Sequence, residues 1–321
     1  MRNWIAYVKY RTKAYKRGRK IRKDGLLPYA NSVEHYAGRP VYSADEINQI
    51  LYDKIMSGKP FMAARFGSTE LLNMRAYDFP VSGKYSLDFH FNHLCEWSGF
   101  FPRDYSLLGE FVRVMKKSAA EVDVLAIWYH AFEDYYMNRL MKKDVDCTYL
   151  LNFEPWSSEK VHWSAALKGK KVLVIHPFAE TIRAQYEKRE AIFPDTDILP
   201  EFELHTLKAV QTLAGNKDER FPTWFEALNW MVEEAMKIDF DIAIIGCGAY
   251  GMPLAAKIKK AGKQAIHLAG ATQLLFGIKG KRWDTDPAFE YVRKRYNDAW
   301  VYPGDHDRIK NGNQVENACY W

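Results

Sequence analysis

A glycine-rich turn at residues 246–251 is the part of the sequence whose spacing most directly indicates a bound ligand. Gly246, Gly248 and Gly251 form a GxGxxG pattern between an apolar run and a helix-like segment. Such small residues let backbone N–H groups and a helix N-terminus approach a phosphate. A nicotinamide site would also need an acid about 20 residues further on, and the next apolar run ends without one. We therefore expect a nucleotide or phosphate site. Tight helix packing without a ligand is the alternative, and a dinucleotide cofactor is a weaker one.

The turn at residues 65–70, RFGSTE, is a second candidate. Arg65 ends an apolar run, Gly67 permits a tight turn, and Ser68 can cap the helix that follows. Glu70 would lie in the first helical turn, where its carboxylate could bind Mg²⁺ or Mn²⁺ holding a diphosphate. A carboxylate at that position is also favourable with the helix dipole alone. Both interpretations of Glu70 stay open.

A basic loop at residues 278–284 follows the last apolar run. Lys281 and Arg282 in this loop could neutralise a pyrophosphate, the arginine in bidentate fashion. A solvated basic loop explains the same residues without a ligand.

Several histidines and acids also come directly after apolar runs: His130, Glu133, Asp134, His176 and Glu180. We expect one of them, with His130 and Asp134 as first candidates, to act as general base toward an acceptor hydroxyl, because both residue types can be tuned toward neutral pH. Each could equally be a hydrogen-bonded structural residue. The sequence has no GxSxG, HExxH or Walker A motif, which makes a serine hydrolase, a zinc protease and a P-loop NTPase poor candidates.

These residues must be positioned by the apolar runs and the helix-period segments between them. The alternation of the two kinds of segment predicts a Rossmann-like α/β fold with a mainly parallel sheet and helices on both faces. The predicted strands are 60–66, 122–129, 146–151, 171–176, 203–211, 241–245 and 264–268. The predicted helices begin near residue 69 and cover about 131–143, 177–189, 224–237 and 252–261. Ligands of such sheets bind beyond the carboxyl ends of the strands, where the strand order reverses.

The charge of the chain is concentrated at its start. Residues 1–25 carry ten basic side chains and one acid, so the rest of the chain is slightly acidic although the net charge is +6. Trp4, Tyr7 and Tyr15 interrupt the basic residues, a pattern that suits an anionic membrane surface. A solvated basic tail is the other open interpretation, and nucleic acid is the weakest because the body is acidic.

The composition of the chain, with 321 residues and 48% apolar side chains, predicts a globular protein without disorder. We expect a basic arm over residues 1–27, one α/β domain over 28–298 and a C-terminal tail over 299–321 that packs on the domain. Four widely spaced cysteines suit a reducing cytosol, and no run is apolar enough to predict a transmembrane helix.

Several motifs, in order over residues 60–285, resemble those of bacterial glycosyltransferases with the GT-D fold. RFGSTE is similar to the family's RFGDGE motif, whose Asp-x-Glu pair is associated with a divalent metal and a nucleotide-sugar. Ser68 stands where the family has Asp, so only Glu70 of that pair carries over, and His267 stands where the family often has Asp. The other similar segments are 167–175, 241–246, 254–256 and 262–268.

The resemblance implies transfer of a sugar from a nucleotide-sugar to a glycan acceptor in surface polysaccharide or glycoprotein assembly. We expect a UDP- or GDP-linked donor held by Arg65, Gly67, Ser68, the glycine turn, Lys281 and Arg282. Glu70 is an expected catalytic residue beside this donor, and its binding of Mn²⁺ or Mg²⁺ is uncertain because of Ser68. We also expect a lipid-linked acceptor and contact of residues 1–25 with the membrane. Together these features would place a cytoplasmic enzyme at the inner face of the plasma membrane. An NAD(P)-dependent oxidoreductase and a non-enzymatic membrane- or nucleic-acid-binding scaffold are the alternatives.

Overall fold

A computed structural model of the protein describes residues 2–80, 87–308 and 320–321. The strands among these residues form one sheet, with the following bounds: β1 (His35–Tyr36), β2 (Arg39–Tyr42), β3 (Met62–Arg65), β4 (Val124–Ile127), β5 (Asp146–Tyr149), β6 (Lys171–His176), β7 (Glu203–Lys208), β8 (Ile242–Ile245) and β9 (Gln264–His267).

The helices pack around this sheet, and two of the longer ones begin at side-chain caps. Ser43 caps its helix in a reciprocal capping box with Glu46, and Thr223 caps another. The helix that begins at Ser68 has Gly67 at its N-cap position and no side-chain cap, so the predicted capping by Ser68 is wrong. The α-helices are α1 (Arg2–Asp24), α2 (Leu26–Asn31), α3 (Ala44–Met56), α4 (Ser68–Asp78), α5 (Leu87–Trp97), α6 (Leu108–Ala119), α7 (Glu133–Leu140), α8 (Ala179–Tyr186), α9 (Arg189–Ile192), α10 (Trp224–Met236), α11 (Gly251–Lys260), α12 (Ala271–Leu275), α13 (Lys281–Thr285) and α14 (Glu290–Arg293).

The sheet has the strand order β1-β2-β5-β4-β3-β9-β8-β6-β7. All neighbouring pairs are parallel except β1 with β2, which is antiparallel. The predicted α/β class with a mainly parallel sheet is therefore confirmed. The sequence analysis missed β1, β2 and α9, placed the end of β7 too late at residue 211, and extended α8 about three residues too far, to residue 189.

Both faces of the sheet are covered, as expected when parallel strands are joined by helical crossovers. Successive residues of each central strand point to opposite faces, so Ala64 and Ile245 belong to one apolar core and Ala63 and Ile244 to the other. Helices α4, α6, α10 and α11 pack on the first face, and α3 and α8 on the second. This arrangement fixes the strand ends on which the candidate site is built.

The basic N-terminal segment is a helix that packs on the domain along one side. Tyr7 of α1 lies 5.7 Å from Phe79 and 5.6 Å from Phe132, measured between ring centroids. Further along α1, Arg17 donates hydrogen bonds of 2.8 Å to the carbonyl oxygens of Tyr129 and His130. The residues of α1 that face away from the domain are exposed. Within the described ranges, no helix is both long enough and apolar enough to cross a membrane.

Candidate functional site at the strand ends

The turn after β3 folds a carboxylate back over the start of α4. A Cβ added to Gly67 would lie 1.6 Å from Glu70 Oε2, so the carboxylate occupies the space that any other side chain at position 67 would need. Glu70 is only 5% exposed. Burial raises the pKa of Glu70, while its own backbone N–H, Arg65 and the Ser98 hydroxyl favour the charged form. Glu70 is therefore built into the turn that presents Arg65.

Arg65 ends β3 as a partly buried cation that forms no salt bridge with a residue the structure describes. Its guanidinium lies 4.9 Å from the centroid of the Trp128 ring and donates to the Phe66 carbonyl oxygen at 3.3 Å. In the described part of the chain, no carboxylate oxygen lies within 4.0 Å of it. Burial lowers the pKa of Arg65. The nearby Tyr320 and Glu70 side chains oppose this lowering, and the positive charge of Arg282 adds to it. An anion bound beside Arg65 would stabilise the charged guanidinium further.

The glycine turn after β8 contains unpaired backbone donors. A Cβ on Gly246 would lie 2.5 Å from the Ala269 carbonyl oxygen, so this glycine allows β8 and β9 to end close together. Gly248 has a φ of +57°, a left-handed conformation that favours glycine. The N–H groups of Cys247, Gly248 and Ala249 donate to no acceptor among the residues that the structure describes. Consecutive N–H groups of this kind form an anion-binding concavity.

The third glycine of the motif has a packing role in this structure. A Cβ on Gly251 would lie 2.1 Å from Nε2 of His267, which is buried at the end of β9. Close approach of a helix to a strand is one of the known uses of the last glycine in GxGxxG. Gly251 accordingly positions α11, and the ligand-facing part of the turn is residues 246–249.

His176 at the end of β6 is fixed in one tautomer. Its Nδ1 accepts a hydrogen bond of 3.0 Å from the Phe178 N–H, so the ring proton resides on Nε2. Burial lowers the pKa of His176 to about 3, which keeps the ring neutral at physiological pH. His176 can therefore donate one hydrogen bond from Nε2, and it is poorly suited to act as a base.

These strand ends enclose one cavity, which we call the first cavity. It holds about 610 Å³ of space, its mouth included, and is lined by Arg65, Trp97, Ser98, His176, Gly246 and Gly248, among others. Gln273 also lines it, and the Gln273 Oε1 accepts no hydrogen bond from a described residue. Tyr320 forms part of the wall, while residues 309–319 of the predicted tail lie outside the described residues. The structure therefore brings Arg65 and the glycine turn together.

A second cavity adjoins the first, and Arg65, Ala269 and Gly270 line both. Arg282 lies in its wall, 5.1 Å from the centroid of the Tyr320 ring. Trp128 and Trp283 also line this cavity. Lys281 is exposed and lines neither cavity. Among the other predicted ligand-binding residues, Gly67, Ser68 and Gly251 also line neither cavity, and Arg282 lines only the second cavity.

His130 and Asp134, the predicted general bases, line neither cavity. The His130 ring stacks on Trp128 at 5.2 Å, and burial together with Arg65 and Arg17 lowers its pKa to about 4. Asp134 is buried and lies 3.7 Å from Arg17 Nη1. Burial raises the pKa of Asp134, and Arg17 opposes that rise. A catalytic role for either residue remains a prediction.

The residues that the structure describes do not form a recognisable divalent-metal site. Among residues 2–80, 87–308 and 320–321, no three His, Cys, Asp or Glu side chains come together in a way that could hold a metal ion. Glu70 lines neither cavity, and Ser68 provides no second carboxylate beside it. Mn²⁺ or Mg²⁺ binding at Glu70 therefore stays a prediction.

Comparisons with protein-family models, with curated proteins and with solved structures give no match for the chain. Its chemistry must therefore be inferred from its own residues. Sequence reasoning missed three of the residues that line the two cavities: Ser98, Gln273 and Glu154. Glu154 follows β5 closely, so an inspection of every strand end could have found it, whereas Ser98 and Gln273 carry no local signal.

Proposed function

We propose that the protein is a glycosyltransferase, of the GT-D kind that its RFGSTE motif resembles, which binds a UDP- or GDP-linked sugar in the first cavity. The observation that carries this proposal is the joint lining of one strand-end cavity by Arg65 and the glycine turn. The turn contributes unpaired N–H groups, and the arginine contributes a cation without a carboxylate partner in the described residues. Such a lining suits a diphosphate.

Transfer of the sugar leaves negative charge on the diphosphate, and hydrogen-bond donors already in place stabilise that charge most effectively. Arg65, the Nε2–H of His176 and the N–H groups of residues 247–249 can supply these donors. The unpaired Oε1 of Gln273 can accept a hydroxyl of the ribose or the sugar. Glu70 acts as a positioning residue, because its carboxylate supports the turn from which Arg65 projects.

Calorimetric titration of the purified protein with UDP, GDP and their sugars, with and without Mn²⁺, tests this proposal. We expect Arg65→Met to weaken nucleoside diphosphate binding by about 10- to 100-fold, the value of one or two charge-assisted hydrogen bonds. Arg113→Met, which makes the same charge change on the exposed surface of α6, is the matched control.

Glu70→Ala should impair sugar transfer. Binding of NADH in place of every nucleotide-sugar would instead support an oxidoreductase.

We further propose that α1 holds the enzyme at an anionic membrane surface, which would place it at the inner face of the plasma membrane beside a lipid-linked acceptor. Trp4, Val8 and Tyr15 share the outward side of α1 and are 66%, 45% and 62% exposed. The exposed basic residues of α1 surround them: Lys9, Arg11, Lys13, Lys16, Arg19, Lys20, Arg22 and Lys23. An apolar strip among basic side chains is typical of helices that lie in a membrane interface.

Vesicle sedimentation tests the membrane proposal. The protein should bind vesicles that contain phosphatidylserine and should not bind neutral phosphatidylcholine vesicles, because each basic residue near an anionic surface contributes about 1 kcal/mol. Lys16→Glu with Lys20→Glu should abolish binding and leave the fold intact. Equal binding to both kinds of vesicle would contradict the electrostatic part of the proposal.

A further inference from the structure

The second cavity contains a buried carboxylate that the nucleotide-binding proposal does not use. Glu154 lies just after the short 3₁₀ turn Leu150–Phe153 that follows β5, and it lines this cavity of about 460 Å³. The residue is 5% exposed. The cavity adjoins the first one at Arg65, so a group bound beside Glu154 would lie next to the predicted diphosphate.

The two oxygens of Glu154 differ in their surroundings. Oε2 accepts a hydrogen bond of 2.7 Å from the Tyr291 hydroxyl, whereas Oε1 accepts none from a residue that the structure describes. Burial raises the pKa of Glu154 to about 7, and Tyr291, Trp156 and Arg295 oppose that rise. Tyr149 also interacts electrostatically with Glu154, and Arg65 and Arg282 are charged groups that line the same cavity. A carboxylate that titrates near neutral pH and keeps one oxygen available meets the requirement for a general base.

We propose that the second cavity binds the acceptor sugar and that Glu154 is the base that deprotonates the reacting hydroxyl of this sugar. This proposal rests on the proposed glycosyltransferase function. Glu154 takes the hydroxyl proton while the oxygen forms a bond to the anomeric carbon of the donor. The bond between that carbon and the diphosphate oxygen breaks, and its electron pair leaves with the nucleoside diphosphate beside Arg65. Attack from the side opposite the leaving group inverts the anomeric configuration.

The lining of the second cavity fits a sugar. Trp128, Trp283 and Phe289 provide apolar ring surface, and aromatic rings pack well against the C–H faces of saccharides. Arg282 lies in the same wall and can hydrogen-bond to hydroxyl groups. The sequence analysis placed the general base at His130 or Asp134. The structure makes Glu154 the stronger candidate, because it is an acid that lines a cavity beside Arg65.

Glu154→Gln is the central test, because it keeps the size of the side chain and removes the base. We expect kcat for sugar transfer to fall at least 100-fold, with the Kd for nucleoside diphosphate within twofold of the wild-type value. The wild-type pH–rate profile should rise through a pKa of about 7. Tyr291→Phe removes a hydrogen bond that favours the carboxylate, so it should move this limb to higher pH. A merely structural Glu154 would not produce that shift.

The outcomes separate the two proposals. If the wild-type protein binds no nucleoside diphosphate, the proposed function fails, and the role of Glu154 fails with it. If the wild-type protein transfers sugar but Glu154→Gln retains activity within threefold, the role of Glu154 is overturned while the function stands. Retention of the anomeric configuration in the product, read by NMR, would also overturn it. Inversion together with a shifted acid limb in Tyr291→Phe would support it.

Discussion

Arg17 offers the sharpest test of whether the basic N-terminal helix is part of the fold. Its side chain is 9% exposed, donates to two backbone carbonyl groups at 2.8 Å and lies 3.7 Å from Asp134. Arg17→Met removes both hydrogen bonds and leaves the Asp134 carboxylate buried without its cation. Loss of one partner of a buried ion pair costs about 3–5 kcal/mol. We expect a loss of that size in the free energy of unfolding at pH 7.

The pH dependence of this loss has a definite sign. Burial raises the pKa of Asp134 and Arg17 opposes that rise, so Arg17→Met raises the pKa further. A carboxyl group whose pKa is higher in the folded state destabilises the fold as the pH increases through that value. The penalty should therefore be largest at and above neutral pH. It should shrink as the pH falls into the range where Asp134 is protonated.

Urea unfolding followed by circular dichroism measures the effect. Asp134→Asn in the Arg17→Met background removes the uncompensated charge and should restore part of the lost stability. Arg19→Met, an equal charge change at an exposed position of the same helix, should stay within about 0.5 kcal/mol of wild type. An Arg17→Met protein as stable as the Arg19→Met control would refute the packing of α1 described above.

Three further predictions concern the strand ends. Gly251→Ala should cost about 1–3 kcal/mol by overpacking, and His267→Ala in the same chain should reduce that cost, as urea unfolding can show. The ¹⁵N chemical shifts of His176 should report a neutral Nε2–H ring from pH 8 down to pH 5, since its pKa is lowered to about 3; titration near pH 6.5 would contradict the buried hydrogen bond from Phe178. Gly248→Ala should cost about 1–2 kcal/mol from its left-handed backbone and should weaken UDP or GDP binding in calorimetry more than Gly251→Ala does.

The central strands could be predicted from the sequence because a buried parallel strand reads as a continuous apolar run. Lys171–His176 has the predicted bounds. The β1–β2 pair could not be found in this way, since β1 has two residues and β2 begins with Arg39. The Arg39 guanidinium is buried because it donates to carbonyl groups of α7 and the residues after it, including Met137 and Lys142. That stabilisation comes from residues about 100 positions away.

In the candidate site, too, some features could be predicted from the local sequence and others depend on tertiary contacts. Inspection of the strand ends found Arg65 and the glycine turn, because the carboxyl ends of parallel strands meet at one edge of a sheet. The surroundings of Asp134 depend on Arg17, and the role of Gly251 depends on His267. These pairings are tertiary contacts with no local sequence signal. The residue types were therefore predictable, whereas the partner that determines each role was not.

The packing of α1 links the proposed membrane surface to the candidate site through one loop. Arg17 holds the carbonyl groups of Tyr129 and His130, which directly follow Trp128, and the Trp128 ring contacts Arg65. Tyr129 has a φ of +61°, a strained conformation for a bulky residue that needs support from its surroundings. Removal of residues 1–25 would therefore release this loop and expose the Asp134 charge, besides removing the basic surface. Loss of activity on truncation cannot then be assigned to membrane release alone, and only substitutions on the outward side of α1 separate the two effects.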